Sequence, residues 1–66
     1  ADIGIMLATY LGHEKFHRDR SASEKGAYGI QLQILNKFGP GAFMNEKVYS
    51  SFEADLKKAS NTGVMR

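Results

Sequence analysis

The sequence contains no cysteine. Disulfides and thiolate metal sites are therefore excluded, and any cross-link or metal staple within the chain must use His, Asp or Glu. That exclusion matters because a chain of 66 residues is short. Such a chain buries only roughly 60% of its unfolded surface, and its core supplies about 3–5 kcal/mol. Long hydrophobic runs are also missing. The longest, Ile3 to Gly12, is too short to span a bilayer and has no signal-peptide pattern. Nor is there an excess of one charge: nine Lys and Arg are scattered among seven Asp and Glu, for a net charge of +2. This is a solvated surface rather than a phosphate-tracking stripe, so nucleic acid is not an expected partner. The chain starts with Ala, not Met. The expectation is one small domain over residues 1–66, processed or excised from a longer protein or completed by a partner subunit. Its compartment is not readable.

What is present reads as helix. Ile3, Met6, Leu7, Tyr10 and Leu11 recur at helical spacing and predict a first helix from about Asp2 to Arg18. Asp2 suits the positive end of its dipole. Gly4 and Gly12 weaken it, each by up to about 1 kcal/mol. The polar stretch Arg18 to Ser23 breaks the pattern. Ser21 and Glu24 have capping-box spacing, and Ser23 is a rival N-cap. A second helix then runs to about Phe38, with Ala27, Tyr28, Ile30, Ile34, Leu35 and Phe38 as its apolar positions. Gly39-Pro40-Gly41 stops it. A third helix should begin near Asn45 and continue to about Ala59, with Val48, Tyr49, Phe52 and Leu56 as its stripe and Ser60 to Gly63 closing it. A strand over Lys47 to Phe52 is the alternative there, though its alternation is poor. The fold class expected is all-α, three helices, with the first two an antiparallel hairpin.

One string stands out chemically. His13-Glu14-Lys15-Phe16-His17 spells H-E-x-x-H. Residues four apart on a helix project about 40° from one another, so both imidazoles can share one Zn2+ ion. Glu14, about 100° from His13, is adjacent to such an ion without pointing at it, where it can hold a water and take its proton. On a helical wheel Met6 falls between the histidines, with Tyr10, Ile3 and Leu7 just beyond, so the imidazoles continue the apolar face. Lys15 falls on the far side. The plainer alternative is that each histidine is satisfied by a backbone carbonyl and binds nothing.

Glu24 offers a third ligand. It shares the apolar stripe of the second helix with Tyr28 and Leu35, with Gln31 and Phe38 flanking. A carboxylate there is costly unless paired, protonated or bound to a cation. The alternative is that Glu24 curls back to Ser21 as a capping box and stays in water.

His13-Glu14-Lys15-Phe16-His17 followed by Glu24-Lys25-Gly26-Ala27 resembles the gluzincin zinc metallopeptidases, in which a second helix donates a glutamate as third ligand. The run "EKGAYGIQLQIL" also resembles the second active-site helix of small metallopeptidase-like domains from bacterial toxin and phage cargo. The resemblance covers about residues 5 to 38. It implies a peptide or protein substrate, with His13, His17 and Glu24 as zinc ligands and Glu14 as the base acting on zinc-bound water. Two departures stand beside it. The interval from His17 to Glu24 is tight and requires a turn of about six residues. Only twelve residues precede His13, so the β-sheet whose edge holds substrate in such peptidases has no room.

Gly26-Ala27-Tyr28-Gly29-Ile30-Gln31 also resembles the G-A-Y-G-L-M-Q string of lytic transglycosylases, which would make Glu24 a catalytic acid on peptidoglycan. A helix-turn-helix reading through Ala8 and Gly12 fails at Arg18, where a buried aliphatic residue should stand. The leading expectation is a zinc-dependent peptide-bond hydrolase, with Tyr28 or Tyr49 as donor to a tetrahedral oxyanion. The runner-up is a non-catalytic helical module that binds a protein or nucleic-acid partner.

Overall fold

A computed structural model describes residues 1–65 of the chain. Three helices form, α1 (Asp2–Asp19), α2 (Glu24–Phe38) and α3 (Glu46–Thr62), with a short 3₁₀ turn at Pro40–Ala42. No strand occurs among the described residues, and Lys47 to Phe52 is helical. None of the helices is long and apolar enough to cross a membrane.

The ends follow local chemistry. Ser23, not Ser21, caps α2: its hydroxyl accepts from the Gly26 N–H at 3.0 Å. The Ser21 hydroxyl instead accepts from the Ser23 N–H. Glu24 is thereby released from the alternative capping box with Ser21. Asn45 caps α3 as expected, accepting from the Lys47 N–H at 2.9 Å. That helix outruns its expected end at Ala59, because Gly63 takes the left-handed conformation (φ 79°) and returns its N–H to the Ala59 carbonyl. Asp2 does more than complement a dipole. Its carboxylate accepts from the Met44 and Asn45 N–H groups at 2.7 and 3.1 Å, which pins the start of α1 to the start of α3.

α2 is the central element, with α1 packed on one flank and α3 on the other. α1 and α2 run antiparallel: His17 meets Glu24 beside the connection, while Thr9 meets Gln31 farther along. The core comprises Leu35, Phe43, Tyr49 and Leu56, with Ile5, Met6, Tyr28, Leu32, Val48 and Phe52 packed against it.

Of the apolar stripe expected to bury α1, Met6 packs against the core and the rest does not. Ile3, Leu7, Tyr10 and Leu11 are 50–78% exposed, and the buried positions of α1 are Thr9 and His13. Two close approaches explain the rotation. Gly12 sits against the Ile34 side chain and Gly26 against the Phe16 ring, so near that a Cβ on either glycine would collide. The glycines that weaken each helix locally let α1 and α2 approach through their small and polar faces. Ile5 and Met6 pack on the core that α3 shares, while Ile3, Leu7, Tyr10 and Leu11 stay exposed.

Glycine substitutions check this account. Gly4 and Gly29 face open space, so alanine at either position should stabilise the chain by about 0.5–1 kcal/mol through helix propensity. Gly26→Ala must displace the rigid Phe16 ring and should give no gain or a net loss of about 1–3 kcal/mol. Denaturant unfolding of the three variants measures the difference.

Candidate metal centre

The α1–α2 connection determines how the histidines face. At the end of α1, the Arg20 and Ser21 N–H groups both return to the Phe16 carbonyl. This turn presents the Ser21 carbonyl to His17, whose Nδ1–H donates to it at 3.0 Å. Because a backbone carbonyl only accepts, Nδ1 must carry the proton. His17 Nε2 therefore points away from the turn, with its lone pair free when the ring is neutral.

His13 is oriented by a longer chain of bonds. The Thr9 hydroxyl donates to the Met6 carbonyl at 2.7 Å. Its oxygen accepts from the Gln31 amide nitrogen at 3.1 Å. The Gln31 amide oxygen then accepts from His13 Nδ1–H at 2.9 Å. The direction of every bond follows from the terminal carbonyl, which cannot donate. His13 Nε2 is thus also the unprotonated nitrogen. The ring is 5% exposed, stacked on Tyr10 at 5.7 Å and met edge-on by Tyr28 at 4.7 Å.

Both Nε2 atoms turn toward the same point, 3.1 Å apart. Glu24 Oε1 completes the group, 2.7 Å from His17 Nε2 and 3.2 Å from His13 Nε2. Three acceptors converge with no donor of their own when both rings are neutral. They are His13, His17 and Glu24, the residues singled out by spacing and resemblance. Glu24 does not face into the core. Its side chain is 53% exposed and closes the group from the solvent side.

The fit to a small cation is close. Ligands about 2.0–2.1 Å from a tetrahedral ion lie about 3.3 Å from one another. The His13 separations of 3.1 and 3.2 Å nearly match this, and the 2.7 Å between His17 and Glu24 would open by roughly half an ångström. The donor set of two imidazole nitrogens and a carboxylate oxygen suits zinc. When no cation is bound, one proton meets the need: His17 is pushed to a higher pKa by the Ser21 carbonyl and by Glu24, against the opposing effect of burial.

Glu14 is exposed and lies outside the converging group. Its nearest link to the site is Tyr10: the Glu14 carboxylate, one helical turn on, pushes the phenol's pKa up, and Tyr10 stacks on His13. The two tyrosines considered for an oxyanion are separated by the fold. Tyr28 lies against His13, whereas the Tyr49 hydroxyl donates to Asn36 at 3.0 Å and its ring packs on Phe43. Asn36 is twelve residues along α2 from Glu24, about 18 Å by helical rise, so Tyr49 has no part in this site.

Sequence reasoning missed Thr9 and Gln31 as parts of the site. A signal was present: Gln31 is seven residues after Glu24, a polar side chain on an otherwise apolar stripe, and Thr9 is four before His13. Comparison with known proteins finds no matching protein-family model, no matching curated protein and no matching solved structure.

A proton and a bound cation would compete for His17, which would give a pH dependence of opposite sign in the two states. In the metal-free chain the raised His17 pKa stabilises the fold below 6.5, the ordinary value, and that contribution is lost as pH rises through the raised value. With zinc in excess, stability should instead increase over the same interval, because deprotonation frees a ligand. Thermal unfolding with chelator or with zinc, at pH values on either side of this interval, should give slopes of opposite sign.

Proposed function

We propose that His13, His17 and Glu24 hold a zinc ion and that the chain acts as a zinc-dependent peptide-bond hydrolase with Glu14 as its base. The single observation that supports the metal is the convergence of His13 Nε2, His17 Nε2 and Glu24 Oε1, with each histidine Nδ1 already bonded to an acceptor. A bound zinc ion supplies Lewis acidity to water and to a substrate carbonyl. The chain's own residues do the rest. His13 and His17 donate neutral imidazoles, which leave a divalent ion with net positive charge after Glu24 is counted. Glu14, next to His13 in the helix, would accept the proton from water and pass it to the leaving amine. Tyr28, whose ring packs against His13, is the tyrosine this reading assigns as donor to a developing oxyanion.

The same donor set serves iron(II) in non-haem oxygenases. Glu14, a carboxylate beside the group and outside it, is a part that hydrolysis uses and that iron chemistry does not. The lytic transglycosylase reading is less well supported, since the Glu24 carboxylate is engaged by both imidazoles. A zinc-stapled, non-catalytic interaction module is the second reading, favoured by the exposed apolar side chains of α1.

Metal analysis should find one zinc per chain, bound with proton release, and His17→Ala should weaken binding by about a hundredfold or more. Iron in place of zinc, or no metal retained, would count against the assignment. Glu14→Gln should leave zinc affinity and helicity intact and remove hydrolysis of an unstructured protein substrate. Activity that survives this change would exclude Glu14 as the base, and absence of any activity would favour the second reading.

A further inference from the structure

His13 has two possible neutral tautomers, and its surroundings pull them in opposite directions. Glu24 Oε1 lies 3.2 Å from Nε2, where a carboxylate favours an Nε2–H donor. That form would end metal binding, because the nitrogen facing the other ligands would carry a proton. The opposing pull comes from Gln31. Its amide can meet Nδ1 with either end, since its oxygen accepts from Nδ1–H and its NH₂ group would donate to a bare Nδ1. The imidazole alone therefore does not decide which form is present. Neither does Gln31.

The deciding group lies one bond farther away. The Thr9 hydroxyl is wholly buried, and its proton is committed to the Met6 carbonyl at 2.7 Å. It can only accept from Gln31, as it does at 3.1 Å. If the amide turned over, its oxygen would face the Thr9 oxygen with no proton between them, and its NH₂ would have left its acceptor. We infer that Thr9 is a positioning residue that acts through Gln31 to hold His13 in the metal-ligating tautomer. Its effect on metal rests on the reading of His13, His17 and Glu24 as a zinc site, whereas its effect on the tautomer does not.

The relay has a further property: it is uncharged. Histidine ligands are often oriented by a carboxylate, which raises their basicity. Here an amide and a hydroxyl do the orienting without adding charge, so a bound cation keeps more of its electrophilic character. The relay leaves no buried side-chain polar atom unpartnered among the described residues. It also explains why α1 turns Thr9 and His13 toward α2 while Leu7 and Leu11 face solvent.

The test replaces Thr9 by valine, which keeps the shape and removes the acceptor. Without it, the amide is free to turn its NH₂ toward Nδ1, and Glu24 gains the Nε2–H bond. In the metal-free, ¹⁵N-labelled chain above neutral pH, long-range ¹H–¹⁵N correlations should report the Nδ1–H form of His13 in the parent and the Nε2–H form in Thr9→Val. Affinity for zinc alone should fall by about ten- to a hundredfold. Thr9→Ser should restore both readouts. The double variant Thr9→Val with Gln31→Glu should also recover zinc affinity, because a carboxylate presents an acceptor to Nδ1 whichever way it turns. A packing role for Thr9 would not be rescued by that second change. A Thr9→Val chain that keeps the Nδ1–H form overturns the relay. If Thr9→Val does not fold, parent-like zinc affinity in Gln31→Leu, which offers Nδ1 no acceptor, overturns it equally. A parent chain that binds no zinc refutes the proposed function, while the tautomer comparison still decides the relay.

Discussion

Three electron-pair acceptors, His13 Nε2, His17 Nε2 and Glu24 Oε1, meet with separations of 2.7 to 3.2 Å. Such an arrangement is repulsive unless something positive lies among them. A single proton on His17 meets that need in the metal-free chain, and a divalent cation would meet it in the proton's place. Much of the fold maintains this convergence: the turn that delivers the Ser21 carbonyl, the Ser23 cap that frees Glu24, and the amide and hydroxyl behind His13. A core of this size supplies only about 3–5 kcal/mol, so a cation bound here would add to a small reserve of stability.

The packing and the site are two consequences of one choice. α1 could have buried Ile3, Leu7, Tyr10 and Leu11, and the hydrophobic effect alone would favour that face at about 1.5–3 kcal/mol per fully buried side chain. It instead presents Thr9, Gly12, His13 and Phe16 to α2. Gly12 and Gly26 make that face flat enough for close approach, and the bonded network makes its polar atoms inexpensive to bury. The exposed apolar stripe is what remains. Tyr10, at its edge, stacks on His13, so it also borders the site.

Much of this was legible from residues alone, and the parts that were not share a cause. The three helices, the Asn45 cap and the Gly39-Pro40-Gly41 stop follow from local chemistry, and the structure bears them out. Histidines at i and i+4 share a side in any helix, so their pairing was legible too. The position of Glu24 depended on whether Ser21 or Ser23 capped α2, and both serines satisfy the local rule. Only the turn geometry separates them. The buried face of α1 was misread because periodicity finds an apolar stripe but does not say which face a neighbour covers. Thr9 and Gln31 escaped notice for a related reason. A polar side chain on a helix is ordinarily solvated, and only tertiary contact turns it into part of a relay.

X-ray absorption on the zinc-loaded chain tests the central claim most directly, since it reads the ligands themselves. The account predicts nitrogen and oxygen scatterers at about 2.0–2.1 Å, with the outer-shell pattern of two imidazoles and one carboxylate. Zinc surrounded by oxygen alone, or bound by a single imidazole, would contradict it. Such a spectrum would reduce His13, His17 and Glu24 to a proton-sharing cluster at the turn of a helical hairpin.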